Sequence, residues 1–479
     1  TEYQYYTNLF MGDHFTAFNV KIGDEKFTKE YKKLRYVKAN FAGLISKILA
    51  DMLFSEPVKV TVPEGDQDFM NALWYENNMD VQCYESALSN SALGDAVFKI
   101  RSGPREPGQT ENTVIIEDIT PTIYFPEVDS FNVRSTPERQ ILAWTFKRNG
   151  KKYLRKEVHI PGYIYNFCYE MLEDKIMNLV PLATTGLTDL QPIEQTGINK
   201  SLIVHIPNWK TGNRYFGISD YYDLDSIFFA INNRMTSIDN ILDKHSDPIL
   251  MVPPGVIDEH GNVNKKALGV MEVEQGEGEP KYIVWDASLE NAFKETEKLM
   301  EFMYLTAEIS PDILGLGQGV TDSGRALKFK LMRTIAKAQR KKLYYDRGLK
   351  EVLYIAQLFA KANNIKVAGL DLKKAPVVPD IDWKDGLPID NKEQLENETM
   401  AVDAGFTSKK AAIMRIYGID EDSAEKMLED IKEEGAIDMP KTGFGSGNPF
   451  DNKGTGNSMM TPEEMAKQKA EEDAKLKKS

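Results

Sequence analysis

The longest regular hydrophobic pattern in the chain runs over residues 323–363. Apolar residues recur there at steps of three and four, which predicts a single helix of roughly 60 Å at about 1.5 Å per residue. Ser323 is the expected N-cap, and Gly348 is an interior glycine where a bend costs little. The pattern consists of Leu327, Leu331, Ile335, Ala338, Tyr345, Leu349, Val352, Ala356 and Phe359.

A glycine-rich loop over residues 310–322 leads directly into this helix. Alternating glycines give the loop backbone freedom, and the side chains between them are uncharged. We expect the loop to project away from the main body of the protein. Its central residues are Leu314, Gly315, Leu316, Gly317, Gln318, Gly319, Val320 and Thr321.

The first 214 residues combine helical and strand patterns and predict an α+β domain. Residues 1–30 mix aromatic and polar side chains without a strong period. Asn149-Gly150 stands between two alternating segments and predicts a tight type I′ hairpin, because both positions tolerate positive φ. Helices are predicted over residues 34–54, 67–76 and 80–93, and strands over residues 58–62, 96–101, 141–148, 151–158, 164–169 and 201–206.

Two helical patterns of similar length, residues 220–245 and 288–308, flank a β-type segment over residues 249–285. Pro248 stops the first helix and Ser288 caps the second. This order predicts a helical stalk that carries a small module at its tip. The polar face of the second helix carries Glu290, Glu295, Glu297 and Glu301.

An extended segment over residues 376–383 follows the long helix. Three short helices are predicted after it, over residues 391–404, 408–417 and 420–434. From residue 440 onward the composition shifts to Gly, Asn, Ser, Lys and Glu, which predicts disorder.

The chain has 479 residues and a formal net charge of −14. This charge repels nucleic acid in general and argues against DNA binding by neutralisation of phosphates. It is compatible with a conduit, since a passage that lets a polyanion slide needs walls that do not hold it. No apolar run approaches the length that spans a bilayer, so no membrane partner is expected.

One dense run of basic residues lies on the predicted long helix. Two interpretations are open: these residues approach DNA, or they pair with acidic faces of neighbouring subunits and offset the repulsion between acidic chains. We favour the second interpretation. The run consists of Arg325, Lys328, Lys330, Arg333, Lys337, Arg340, Lys341 and Lys342.

The sequence gives little support for catalysis, cofactor binding or metal binding. Gly315-x-Gly-x-Gly319 lacks the preceding strand and the spacing of a dinucleotide loop, and no Gly-x-x-x-x-Gly-Lys-Ser/Thr occurs. Cys83 and Cys168 lie far apart and are interpreted as small buried hydrophobic residues. The five histidines lack ligand spacing. We therefore expect no enzyme, cofactor or metal site, and we interpret the nearest carboxylate cluster as a solvated loop, with Asp371, Asp380, Asp382 and Asp385.

The order of these elements resembles the portal proteins of tailed double-stranded DNA phages, particularly the siphophage branch. The resemblance covers roughly residues 30–437. It is carried by the order and spacing of three segments, which are Asn40 through Glu56-Pro57, Phe216-Gly-Ile-Ser-Asp220 and Thr321-Asp-Ser-Gly-Arg-Ala-Leu-Lys328.

The resemblance implies the α+β portal fold with its named regions. These are a wing over residues 1–216, a first stem helix over 217–247, a clip over 248–286, a second stem helix over 287–308, a tunnel loop over 309–322, a long kinked wing helix with its return strand over 323–390, and a helical crown over 391–439. The composition, and not the resemblance, predicts a disordered tail over residues 440–479.

For function, the resemblance implies a ring of about twelve identical copies at one capsid vertex of the virion, assembled in the bacterial cytoplasm. The ring is the channel for packaging and ejection of double-stranded DNA, with the tunnel loop at its narrowest part and the acidic stem face repelling DNA from the wall. The implied partners are the terminase large subunit, the major capsid and scaffolding proteins, and a head-tail adaptor. Two alternatives stay open: a scaffold or adaptor without a channel, and a nucleic-acid-processing enzyme that uses the basic helix.

Overall fold

The computed structural model of the chain describes residues 2–19, 36–62, 67–106, 108–187, 190–245, 249–251, 281–283, 289–316, 324–365, 367–384 and 391–435. The chain forms two compact units, residues 1–389 and 390–479. Most of the predicted β-type segment, the centre of the glycine-rich loop and the tail from residue 436 lie outside the described residues. Helices and sheets both contribute to the first unit, which confirms the predicted α+β class.

Two helices that the sequence pattern did not predict begin the chain. They are α1 (Glu2–Phe10) and α2 (His14–Ala17). Tyr6 and Leu9 of α1 are buried in a cluster of helices. A helix of this length contains too few turns for its hydrophobic period to be recognised in the sequence. Its apolar side chains are buried only by contact with the neighbouring helices.

A third helix, α3 (Phe41–Phe54), starts later than residue 34, where the apolar pattern placed its beginning. The Asn40 side chain caps it by accepting a hydrogen bond of 3.0 Å from the Gly43 amide. Strand β1 (Lys59–Thr61) and helices α4 (Gln67–Glu76) and α5 (Met79–Leu93) follow as predicted. Gly94, with a φ of 91°, ends α5 in the left-handed region.

The residues after α5 form two antiparallel sheets. The strands are β2 (Asp95–Gly103), β3 (Thr113–Ile119), β4 (Tyr124–Glu127), β5 (Arg139–Arg148), β6 (Lys151–Ile160), β7 (Tyr163–Leu172), β8 (Lys175–Leu179), β9 (Ile193–Gln195) and β10 (Ile203–Pro207). One sheet has the order β10-β2-β3. The other runs β4-β5-β6-β7-β8, and β9 pairs with β7.

The predicted hairpin at Asn149-Gly150 is confirmed. The φ angles of the two residues are 49° and 75°, and Arg148 of β5 pairs with Lys151 of β6. This turn matches the twist of the two strands, so the ten-residue strands on each side stay in register.

A helical pair with a small β element between its members comes next in the chain. It consists of α6 (Asp225–His245), β11 (Ile249–Met251), β12 (Lys281–Ile283) and α7 (Leu289–Ala307). Strands β11 and β12 are antiparallel, with Ile249 opposite Ile283, and α6 and α7 contact each other. The helix, β element, helix order predicted from the sequence is therefore present.

The long helix α8 (Gly324–Ala362) has 39 residues and runs without interruption through Gly348. A Cβ atom on Gly348 would lie 2.4 Å from Cγ1 of Ile206 on β10. Glycine at this position therefore allows close packing of α8 on the sheet. Beyond the helix, β13 (Asp380–Asp382) pairs antiparallel with β1.

Two hydrophobic clusters form the main core of the first unit. One places Tyr345, Leu349 and Val352 of α8 against β2, β3 and β10. The other joins α1, α3, α6 and α7, and includes Phe228 and Met303. Full burial of each large side chain contributes about 1.5–3 kcal/mol to stability. The first cluster holds α8, and the second holds the α6–α7 pair.

The second unit contains the three predicted short helices, α9 (Asn391–Asp403), α10 (Lys409–Tyr417) and α11 (Glu421–Gly435). The Ser408 side chain caps α10 by accepting a hydrogen bond of 3.1 Å from the Ala411 amide. Arg415 of α10 donates two hydrogen bonds to Glu398 of α9, at 2.7 and 2.6 Å. Such a two-point contact fixes the angle between these helices.

Candidate functional site

A buried ionic cluster lies where α6, α7 and α8 come together. The carboxylate of Asp220, just before α6, is inaccessible to solvent. The ammonium nitrogen of Lys337 lies 3.0 Å from Oδ1 of Asp220, and that of Lys341 lies 2.7 Å from Oδ2. The two lysines are four residues apart on α8, so they project from the same side of the helix.

Further hydrogen bonds extend this cluster to three other elements. Ser91 of α5 donates to Oδ2 of Asp220 at 2.8 Å. Lys337 donates to the carbonyl oxygen of Ala307, the last residue of α7, at 2.8 Å. Lys341 also donates to the side chain of Asn208, which follows β10. The cluster therefore ties both ends of the α6–α7 excursion to α8 and the β10-β2-β3 sheet.

The charges of the cluster compensate one another. Burial alone raises the pKa of Asp220, but Lys337, Lys341 and the hydrogen bonds from Lys341 and Ser91 outweigh it and hold the pKa below its usual range. Burial lowers the pKa of Lys341 to about 8, with Asp220 opposing the shift. A buried carboxylate between two ammonium groups is tolerated only while all of them stay paired.

The segment before Asp220 packs against α5 and β2 at backbone distance. A Cβ atom on Gly217 would lie 1.9 Å from the carbonyl oxygen of Gly94. The Gly217 amide donates to Oδ1 of Asp95 at 2.7 Å, and the Tyr3 hydroxyl donates to Oδ2 at 2.6 Å. The segment Phe216-Gly-Ile-Ser-Asp220, noted in the sequence for its resemblance alone, is thus the anchor of the α6–α7 pair.

The predicted basic run divides between the two sides of α8. Lys328 and Arg333 are exposed, and Arg340 pairs with Glu308 at 2.7 Å. Arg325 lies in the first turn of α8, and its side chain lies outside the described residues. The expectation that the run faces neighbouring subunits or DNA is wrong for Lys337, because its ammonium group is buried inside its own chain. Lys341 and Lys342 are buried as well.

Sequence reasoning missed the ionic cluster for an identifiable reason. Eight basic residues close together look like a solvated surface, and the partner Asp220 lies more than a hundred residues away. A signal was nevertheless present. Lys337 and Lys341 stand at helical spacing with Ala338 and Tyr345, on the apolar side of α8.

The four acidic residues predicted for the polar face of the helix over residues 288–308 are all exposed on α7. Glu295 pairs with Arg234 of α6 at 2.6 Å. Glu290 and Glu301 pair with Lys294 and Lys298 of the same helix, each at 2.6 Å. The surface of α7 is therefore mixed in charge, with carboxylates in excess, and its exposed pairs contribute little to stability.

The first part of the predicted loop is anchored to α8. The Ser310 amide donates to Oγ1 of Thr334 at 2.8 Å, and a short 3₁₀ turn runs from Pro311 to Leu314. Gly315 ends this turn with a φ of 70°, and Leu316 is exposed after it. Gly317, Gln318, Gly319, Val320 and Thr321 lie outside the described residues.

The described residues hold no group of three or more His, Cys, Asp or Glu side chains placed to bind a metal ion. Cys83 and Cys168 are both buried and unpaired with each other, as predicted. In the part of the chain that the structure describes, no helix has the length and apolar character to cross a bilayer.

Comparison with known proteins gives one family match. The model of the family described as phage portal protein, SPP1 Gp6-like, matches residues 2–133 and 177–441. The gap between the two matched segments, residues 134–176, holds β5, β6 and β7. No curated protein matches the chain.

Among solved structures, the chain is similar to one from the neck of a native GTA particle computed with C12 symmetry. The identity is 12%, the TM-score is 0.40, and the alignment covers 78% of this chain and 89% of that one.

Proposed function

Because the chain belongs to the SPP1 Gp6-like family of phage portal proteins, we propose that copies of it form a closed ring at one vertex of the capsid. Double-stranded DNA passes through the centre of the ring during packaging and ejection. The subunit number is about twelve, and every subunit makes the same contacts with its two neighbours. The chain is a virion component and catalyses no reaction.

The cluster around Asp220 supports this proposal more than any other feature. A portal must hold its pore-forming elements in fixed positions while DNA and docking proteins load them. Lys337 and Lys341 connect α8 to the ends of the α6–α7 excursion through groups that are expensive to separate. The geometry thus suits a mechanical part in which stem helices and wing move together.

Membership of the portal family is also the basis on which we assign the regions of the portal fold. The wing is residues 1–216 with the long helix and return strand, 323–390, and α6 and α7 lie in the two stem segments, 217–247 and 287–308. The clip, residues 248–286, binds the terminase large subunit first and the head-tail adaptor later. The crown, residues 391–439, and the wing face the capsid and scaffolding proteins.

The path of DNA follows from charge. The loop over residues 309–322 lines the narrowest part of the channel, where uncharged side chains such as Leu316 make weak contacts with phosphates. The excess carboxylates of α7 keep the polyanion away from the wall, since like charges repel across a narrow water-filled space. A formal charge of −14 for each subunit strengthens this effect in the ring.

Native mass spectrometry and averaged electron micrographs of the purified protein test the proposal. We expect a ring of about twelve chains with a central opening wide enough for duplex DNA. A stable monomer or dimer at all concentrations would contradict it. A closed assembly without an opening would instead favour the alternative of a scaffold or adaptor protein.

A further inference from the structure

The outer face of α8 carries an apolar stripe that the described residues of its own chain leave uncovered. Phe329, Met332 and Leu343 are 66%, 63% and 73% exposed, and Ala336 lies between them. Phe329, Ala336 and Leu343 are spaced by seven residues, so they share one side of the helix over roughly 21 Å. Three large apolar side chains aligned in this way are unusual on a surface that faces only water.

A row of arginines runs beside this stripe. Arg333, Arg340 and Arg347 also follow one another at intervals of seven. Arg340 pairs with Glu308 of its own chain. Over the described parts of the chain, Arg333 and Arg347 have no ion-pair partner, and both are exposed. The outer face of α8 therefore offers an apolar seam with positive charge along one side.

Helix α7 presents a face of complementary character. Phe302 and Leu305, three residues apart, are 56% and 62% exposed. Glu297 and Glu301 are spaced by four residues on the adjoining side of α7. Glu297 has no cation within ion-pair distance among the described residues. The outer face of α7 is thus an apolar patch with negative charge along one side.

We infer that the apolar stripe of α8 in one copy packs on the outer face of α7 in the next copy. The two faces differ, so the contact is head-to-tail, and a head-to-tail contact that repeats by rotation closes a ring. Apolar side chains meet apolar side chains, and the arginine row meets the glutamate row. The contact also offsets part of the repulsion between chains of net charge −14.

This pairing rests on the proposed ring and specifies the surfaces that build it. A variant with Met332→Asp and Leu343→Asp tests the α8 side, because both side chains are exposed and an aspartate there leaves the protomer core intact. Leu172→Asp is the matched control, since Leu172 is 63% exposed on β7 and lies on neither face.

The measurement is the ring fraction by native mass spectrometry, with the far-UV circular dichroism spectrum as the check on folding. We expect wild-type and Leu172→Asp proteins to form rings, and the α8 variant to lose about tenfold or more of the ring fraction with an unchanged spectrum. Rings of normal abundance in the α8 variant would overturn the pairing and leave the portal assignment standing. A wild-type protein that never forms rings would overturn both.

Cross-linking identifies the partner surface directly. Chains with Met332→Cys are mixed with chains carrying Leu305→Cys before assembly, and the native Cys83 and Cys168 are buried and give little background. Mixed dimers linked between the two variants support the pairing. Dimers formed as readily by Met332→Cys alone would show a symmetric contact between two α8 helices and would overturn it.

A charge exchange supplies the last readout. Arg333→Glu lowers the ring fraction through repulsion with the glutamate row, and adding Glu297→Arg in the same chain restores it, because each contact again joins opposite charges. A merely structural role for Arg333 would not produce this rescue. If substitution of Arg for each glutamate of the row in turn fails to restore the ring fraction of Arg333→Glu, the charge pairing is contradicted.

Discussion

The ammonium group of Lys341 lies 2.7 Å from Oδ2 of Asp220, although 121 residues separate the two in sequence. Both groups are buried, and Lys337 lies on the other carboxylate oxygen. This contact joins the long helix to the start of the α6–α7 pair. Separating the two groups would leave buried charges without partners, so we expect α8 and the α6–α7 pair to move together.

Replacing Asp220 with Ala should strongly destabilise the protein. Two buried ammonium groups would lose their counterion, which costs about 3–5 kcal/mol in comparable buried pairs. Urea unfolding at pH 7 measures the change. Asp223→Ala is the control, because Asp223 is exposed three residues away and its loss should stay within about 0.5 kcal/mol. Equal effects of the two substitutions would show that the cluster contributes nothing.

The pH dependence of stability should contain a contribution from Asp118 on β3. Burial, with the charge of Glu85 nearby, raises the pKa of Asp118 to about 8. The folded state therefore holds this proton more tightly than the unfolded state, whose aspartates have a pKa of about 3.9. The contribution of Asp118 is most favourable below pH about 4 and is lost as the pH rises to about 8.

Asp118→Asn tests this sign. The substitution removes the ionisable group, so the difference in unfolding free energy, variant minus wild type, should be more favourable to the variant at pH 8 than at pH 5, by about 1 kcal/mol or more. Denaturant titrations at the two pH values give the comparison. A difference that does not change with pH would mean that Asp118 titrates normally.

Gly348→Ala should destabilise the packing of α8 on β10. The new Cβ atom would lie 2.4 Å from Ile206, and relief of such crowding costs about 1–3 kcal/mol, which exceeds the gain in helix propensity. The double variant Gly348→Ala, Ile206→Ala provides the control. If the crowding is the cause, the two effects should be less than additive, and strict additivity would point to another reason for the glycine.

Gln318→Lys should leave rings intact and reduce the amount of DNA packaged or retained. If the loop lines the channel as proposed, a positive charge at this position attracts phosphates and slows their passage. Gln318→Asn keeps the side chain neutral and is the matched control. The measurement is the amount of packaged DNA per particle. Normal packaging in Gln318→Lys and in Val320→Lys would contradict the assignment of the loop to the channel.

The sequence predicted the elements whose signals are local. Asn149-Gly150 defines a hairpin by its own conformational preference, and the helix predicted over residues 408–417 is found as α10. The family resemblance rested on such segments in their order. These features depend on neighbours within a few residues, so no knowledge of the rest of the fold is needed.

Features that depend on distant partners were not predictable. The buried position of Lys337 is set by Asp220 and Ala307, and the use of Gly348 is set by Ile206 on another element. Helix α1 acquires its apolar face from contact with α3 and α5. In each case the fold brings together two residues that are distant in sequence. A local hydrophobic pattern does not predict such a contact.

The pairing of β1 with β13 determines where the first unit can be shortened. Lys59 lies opposite Asp382, and the neighbouring Trp383 contacts Phe54 and donates to Asp346 at 3.0 Å. A chain cut just after α8 would leave β1 as an open edge and strip Trp383 from the core. A shortened first unit therefore has to extend through Trp383, and removal of the second unit, residues 390–479, leaves the pairing of β1 with β13 in place.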